Sequence, residues 1–242
     1  MPDRFGPRGV LALMIPLQNA NMQPEYEAMR PPGVSNQIYR FSLSAPDNVA
    51  EAVLASLPGA RGCYPDLVVC GNSLEMRNWS VGRQAHYRDQ VQAAVPEVPV
   101  ITATDATTAA LHTIGARKIA VLSPMSEVYS QSVARYYGAF GFEVCSHHWL
   151  EVPLPQDIIN VPVDRIEAAF DKMDAPEVDC FLHVGGALGI VDMIDDLEER
   201  LGRPVISVNA ATYWYALRRI GVTDRLEMGG RITRPALVDT QG

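Results

Sequence analysis

The chain has 242 residues, 48% of them apolar and 20% charged, enough for one large or two small domains with a buried core. A net charge of −8, with no block of basic residues, argues against nucleic acid or an anionic membrane as partner. No apolar run approaches the ~20 residues that cross a bilayer, and the opening MPDRFGPRG lacks the apolar stretch of a secretion signal, so a cytoplasmic chain is expected.

Strand-like runs alternate with helical patterns from end to end, the mark of an α/β fold with parallel sheets. Strands are predicted at 10–16, 66–70, 98–103, 118–124, 179–184 and 203–208. Helices are predicted at 47–57, 80–94, 106–115, 127–140, 164–173, 188–201 and 210–220. Of the four cysteines, Cys70 and Cys180 fall inside strands, and none shows C-x-x-C spacing, so buried free thiols are expected. The histidines offer no convincing metal spacing, and no cofactor is implied.

The chain also repeats itself. VLALMIP (10–16) answers to IAVLSP, with Pro16 over Pro124. DLVVCGNSL (66–74) answers to DCFLHVGGA (179–187), which sets Asp66 over Asp179 and Gly71 over Val184. PVITATDATTAALHTIG (99–115) answers to PVISVNAATYWYALRRIG (204–221). Three matched units in one order predict two similar Rossmann-like (flavodoxin-like) lobes related by a pseudo-twofold axis. The first lobe is taken as 1–105 plus 210–242 and the second as 106–209. Corners after equivalent strands would then face each other across a cleft. Strand ends and helix N-termini there suit a small carboxylate.

PLQNANMQPEYEAMRPPGVSNQIYR (16–40), GNSL (71–74), VGGAL (184–188) and VNAATYW (208–214) together resemble the maleate isomerase and arylmalonate decarboxylase family, within the aspartate/glutamate racemase superfamily. The similarity runs from about Gly9 to Gly221. It implies a cofactor-independent enzyme whose cysteines, up to two, stand one at each corner. Gly71 occupies the first of those positions, as in the decarboxylase, and Val184 the second, so both thiols are missing. Met125 stands where the family has a tyrosine; Tyr129, one helical turn on, is the nearest substitute.

The resemblance makes Asn19, Arg40, Asn72, Ser73, Met125, Val184, Gly185, Gly186 and Asn209 the substrate-binding candidates. For Asn72 and Ser73, carboxylate binding competes with helix capping. For Gly185 and Gly186, close backbone approach competes with simple turn geometry. Arg40 is either a carboxylate partner or an interlobe ion pair. Pro155, Gln156, Ile158, Ile159 and Asn160 belong to the family's variable pocket segment. Tyr129, His183 and Asp105 are the candidates for proton transfer in place of a thiol. Strand alternation turns His183 and Cys70 away from the cleft unless a bulge intervenes, and Asp105 doubles as a helix-capping residue.

Three readings follow. The first is a decarboxylase- or isomerase-like enzyme acting on a small carboxylate through an enolate-like state without cysteine. The second is a non-catalytic carboxylate-binding or regulatory protein, and the third a hydrolase or lyase using Asp105. A homo-oligomer is compatible with all three.

Overall fold

The computed structural model of the protein describes residues 4–43 and 48–234. The ends of the expected first lobe (1–3 and 235–242) and the first position of the helix expected from 47 lie outside those residues. β1 (Gly9–Pro16), β2 (Val34–Phe41), β3 (Leu67–Cys70) and β4 (Val100–Thr102) form one parallel sheet in the order β2-β1-β3-β4. β5 (Lys118–Ser123), β6 (Glu143–Trp149), β7 (Cys180–His183) and β8 (Val205–Ser207) form a second, in the order β6-β5-β7-β8. The second order is the first advanced by four strands, so the repeat read from the sequence is the architecture.

The paired aspartates explain part of that repeat. Asp66 Oδ2 accepts from the Val10 N–H at 2.8 Å, and Asp179 Oδ2 accepts from those of Arg117 (3.0 Å) and Lys118 (2.9 Å). Each carboxylate satisfies a donor at the start of the neighbouring strand, where the ladder has not yet begun.

The helices are α1 (Met22–Met29), α2 (Val49–Ala60), α3 (Val81–Ala94), α4 (Ala103–Thr113), α5 (Glu127–Gly138), α6 (Val163–Met173), α7 (Ile194–Leu201) and α8 (Val208–Arg219). Both faces of each sheet are covered, which is why the central strands read as unbroken apolar runs. Leu11, Leu13 and Ile15 of β1 join a core cluster shared with α1, α6, α7 and α8, while Ala12 and Met14 face α2 and α3. Ile119, Val121, Leu182 and Val184 pack with α4, α5 and Trp214 of α8 in a third cluster.

Three elements escaped the periodicity reading: α1, β2 and β6. β2 and β6 are edge strands, and their sequences, VSNQIYRF and EVCSHHW, carry polar side chains that a central strand excludes. His147 and Trp149 of β6 stack on each other with ring centroids 4.7 Å apart. α4 and α8 also start earlier than expected, directly at the strand ends. Thr102 Oγ1 accepts from the Asp105 N–H at 3.2 Å, and Ser207 Oγ accepts from that of Asn209 at 3.3 Å. Asp105 and Asn209 therefore lie in first helical turns, not on preceding turns. The helix expected at 188–201 begins at Ile194, because 187–191 is tied to α1 instead.

Candidate functional site

The corners after β3 and β7 are equivalent in the ladder as well as in the sequence. Gly71 N–H donates to the Met14 carbonyl at 3.2 Å, and Val184 N–H to that of Leu122 at 3.0 Å. Beyond these residues the chain leaves each sheet, at Asn72-Ser73 in one lobe and Gly185-Gly186 in the other. The corners meet: Gly185 N–H points to Ser73 Oγ at 3.4 Å. Between them opens a cavity of about 600 Å³, with Pro16 and Pro124, the matched strand-end prolines, both on its wall.

Asn19, Ser73, Met125, Tyr129, Gly185 and Gly186 line this cavity. From the variable segment, Pro155, Gln156 and Ile158 line it as well. Asn19 is held by its Oδ1, which accepts from the Met22 N–H at 3.0 Å; its Nδ2 has only the weakly accepting Met22 sulfur at 3.2 Å. Gly185 sits at φ +89, where a Cβ would lie 2.7 Å from the Pro124 ring, so the backbone approaches that wall as only glycine allows. Tyr129 is 47% exposed and stands at the mouth.

The remaining candidates stand off the cavity wall. Arg40 gives its guanidinium to protein acceptors: the carbonyls of Pro16 (3.3 Å) and Asn19 (2.5 Å), and Gln23 Oε1 (2.9 Å). It fastens the end of β1, the 17–21 loop and the start of α1 onto β2. Asn209 is fully buried, and its Nδ2 donates to the Gly186 carbonyl at 2.8 Å. Asn72 is buried, and neither polar atom of its side chain has a protein partner. Val184 packs into the second-lobe core. At Gly71, an added Cβ would meet Met22 Cε at 2.4 Å, so the methionine fills the space a side chain there would need.

Of the proton-transfer candidates, two are occupied elsewhere. Asp105 completes the α4 capping box with Thr102 and pairs with Arg88 of α3 at 2.8 Å. His183 is fully buried, with Nδ1 3.3 Å from Ser207 Oγ, and burial drives its pKa down to about 3. Cys70 faces α2 and α3, and burial pushes its thiol up to about 12. Neither Cys70 nor His183 lines the cavity.

Four polar lining residues carried no signal in the sequence reading: Gln18, Arg77, Ser126 and Glu151. Arg77 is the last residue of the 3-10 turn after the first corner, and Glu151 Oε1 accepts from the Glu127 N–H at 3.1 Å. Glu25 was also missed, although its spacing offered a clue. It shares an i, i+3, i+4, i+7 stripe with Met22, Tyr26 and Met29, all three buried, so a carboxylate stands in an apolar position.

Two parallel-sheet lobes of one topology, with a cavity between matched strand-end corners, define a two-lobed α/β protein with an interlobe cavity. The arylmalonate decarboxylase (Amdase) family profile matches residues 64–233, and the chain belongs to that family. A maleate isomerase of Geobacillus stearothermophilus is 24% identical over 135 residues; that match covers 55% of this chain and 54% of the relative, about half its length. The Nocardia farcinica maleate cis-trans isomerase bound to TRIS superposes with a TM-score of 0.84 at 19% identity, covering 93% of this chain and 97% of that one. The Pseudomonas putida S16 maleate isomerase with maleate gives 0.80 at 19% identity, covering 93% and 96%. At such identities the superpositions speak for the fold.

Proposed function

We propose that the cavity binds a small carboxylate and that the protein acts on it as a decarboxylase- or isomerase-like enzyme, passing through an enolate-like state without a thiol at the reacting carbon. The observation that carries this reading is the composition of the wall. Ser73, Arg77, Asn19 and the Gly186 N–H carry donors from both lobes, and no cysteine is among the lining residues. Such convergent donors hold a carboxylate in one orientation and favour negative charge as it spreads onto oxygen. The structural neighbour bound to maleate has the same fold, which supports a carboxylate as ligand. The resemblance places the family's cysteines at Gly71 and Val184, so the proton must come from another group on the wall. Tyr129 is our choice, because His183 and Cys70 are sealed in the core and Asp105 is held by Thr102 and Arg88. In this reading the chemistry uses no cofactor.

The test is a screen of phenylmalonate, malonate and maleate in heavy water, read by NMR for turnover and for deuterium incorporation. Turnover or exchange is expected to survive thiol alkylation. In Tyr129→Phe it is expected to fall at least a hundredfold, the usual scale for removing a general acid, while binding of the same compound changes little. Loss of activity on alkylation, or full activity in Tyr129→Phe, would overturn the assignment.

A second reading, a carboxylate-binding protein without catalysis, draws support from the sealing of Cys70 and His183 away from the cavity. Tight binding with neither turnover nor exchange would select it.

A further inference from the structure

The second-lobe corner is gripped from the first lobe by one short helix. Asn21, at the N-cap of α1, donates through Nδ2 to the Ala187 carbonyl at 2.8 Å. One turn on, Glu25 Oε1 accepts from the backbone N–H groups of Ile190 (2.7 Å) and Val191 (2.8 Å). Its Oε2 accepts from Asn209 Nδ2 at 2.5 Å, and that same Nδ2 donates to the Gly186 carbonyl. Gly186 and Ala187 line the cavity. They have little or no side chain with which to fix themselves, so their position is set by what holds their carbonyls.

We propose that Glu25 is a positioning residue: by holding Ile190, Val191 and Asn209 at once, it sets where the Gly185–Ala187 wall stands against Ser73. The inference rests on the reading of the cavity as a carboxylate site, and it gives an acid that touches no substrate control over that site. A carboxylate suits the task because it accepts three donors simultaneously, whereas a neutral side chain of the same length must turn a hydrogen toward one of them.

The grip is also pH-dependent. Burial, with a smaller push from Asp192, raises the Glu25 carboxyl to about 7, against the pull of Asn209 and the two backbone donors. Tyr26 is the other titratable group facing it and is itself driven upward by burial. Below pH 7 none of the three atoms that donate to the carboxylate, Ile190 N, Val191 N and Asn209 Nδ2, can accept the added proton, so the grip loosens as pH falls.

Amide NMR on the free full chain tests this without any ligand. In the wild type, the Ile190, Val191 and Gly186 amides are expected to shift together in one titration near pH 7. Glu25→Gln should abolish that titration, because a carboxamide does not ionise, and it turns an Nε2–H toward the Asn209 Nδ2 donor. It should also speed hydrogen exchange at Gly185, Gly186 and Ala187 at least tenfold. At pH 8 the same variant should bind phenylmalonate at least tenfold more weakly. Should Glu25→Gln fail to fold, Asn21→Ala, which cuts only the link to Ala187, is expected to raise exchange at Gly186 and Ala187. Unchanged exchange at 185–187 in the folded variant overturns the proposal, as does a titration that persists in Glu25→Gln. A wild type that binds neither phenylmalonate nor maleate would sink the carboxylate reading instead, while the exchange rates still decide the role of Glu25.

Discussion

Glu75→Gln is expected to be more stable than the wild type by about 3 kcal/mol at pH 8, and to match it near pH 4. Glu75 is fully buried on the turn that leaves the first corner, and neither carboxyl oxygen has a hydrogen-bond partner. Burial raises its pKa from 4.5 to about 7, and the pull of its own backbone N–H and of nearby Arg77 offsets only part of that. The sign follows from proton counting. Between pH 4.5 and 7 the folded chain holds a proton that the unfolded chain has released, so stability falls as pH rises through that window. Glu25 adds a fall of the same sign and range. His183 opposes both: it is neutral in the fold down to about pH 3 but charges near 6.5 when unfolded, so its share of stability is lost as pH falls below 6.5. Urea denaturation at pH 4 and pH 8 measures the difference. An equal effect of Glu75→Gln at both values would show that the buried carboxyl does not ionise against the fold.

Gly185→Ala is expected to cost about 3 kcal/mol and to abolish binding of phenylmalonate, through left-handed strain plus a clash with a rigid ring. Its φ is +89, and the added Cβ would sit 2.7 Å from Pro124 Cδ and 2.8 Å from Cγ. A proline ring cannot rotate out of the way as a methionine can. Gly202→Ala is the matched control: φ there is +69, but nothing lies within 4 Å of the new Cβ. It should cost about 1–2 kcal/mol, the left-handed penalty alone, and leave binding intact. Thermal unfolding and ligand titration of the two variants separate the clash from the strain. Equal losses in stability and binding would mean that the close approach to Pro124 does not shape the site.

Much of the protein is legible in its sequence. Apolar strand runs, the matched aspartates and the paired strand–turn–helix units at 99–115 and 204–221 are local signals, each readable within a short stretch. Repeated at a nearly constant spacing, they determined two lobes of one topology and placed the corners at Gly71-Asn72-Ser73 and Val184-Gly185-Gly186. Alternation along β3 and β7 already turned Cys70 and His183 from the cleft, and they are buried off the cavity wall. The edge strands β2 and β6 were obscured because an edge tolerates the polar residues that hide the periodicity.

The tertiary structure alone decided what surrounds those corners. Ser73 meets Gly185 across 112 positions of chain, Asn21 meets Ala187 across 166, and Glu25 meets Ile190 across 165. Arg40 was drawn to the Asn19 carbonyl, Met22 to the space beside Gly71, and Arg77 and Glu151 to the cavity wall. Apart from the apolar stripe that Glu25 interrupts, none of these contacts leaves a local pattern, because a hydrogen bond or a filled gap between segments far apart in the chain constrains two residues jointly and neither one by itself. Local pattern sets which backbone corners face the cleft; the packing of distant segments against one another sets which side chains reach it.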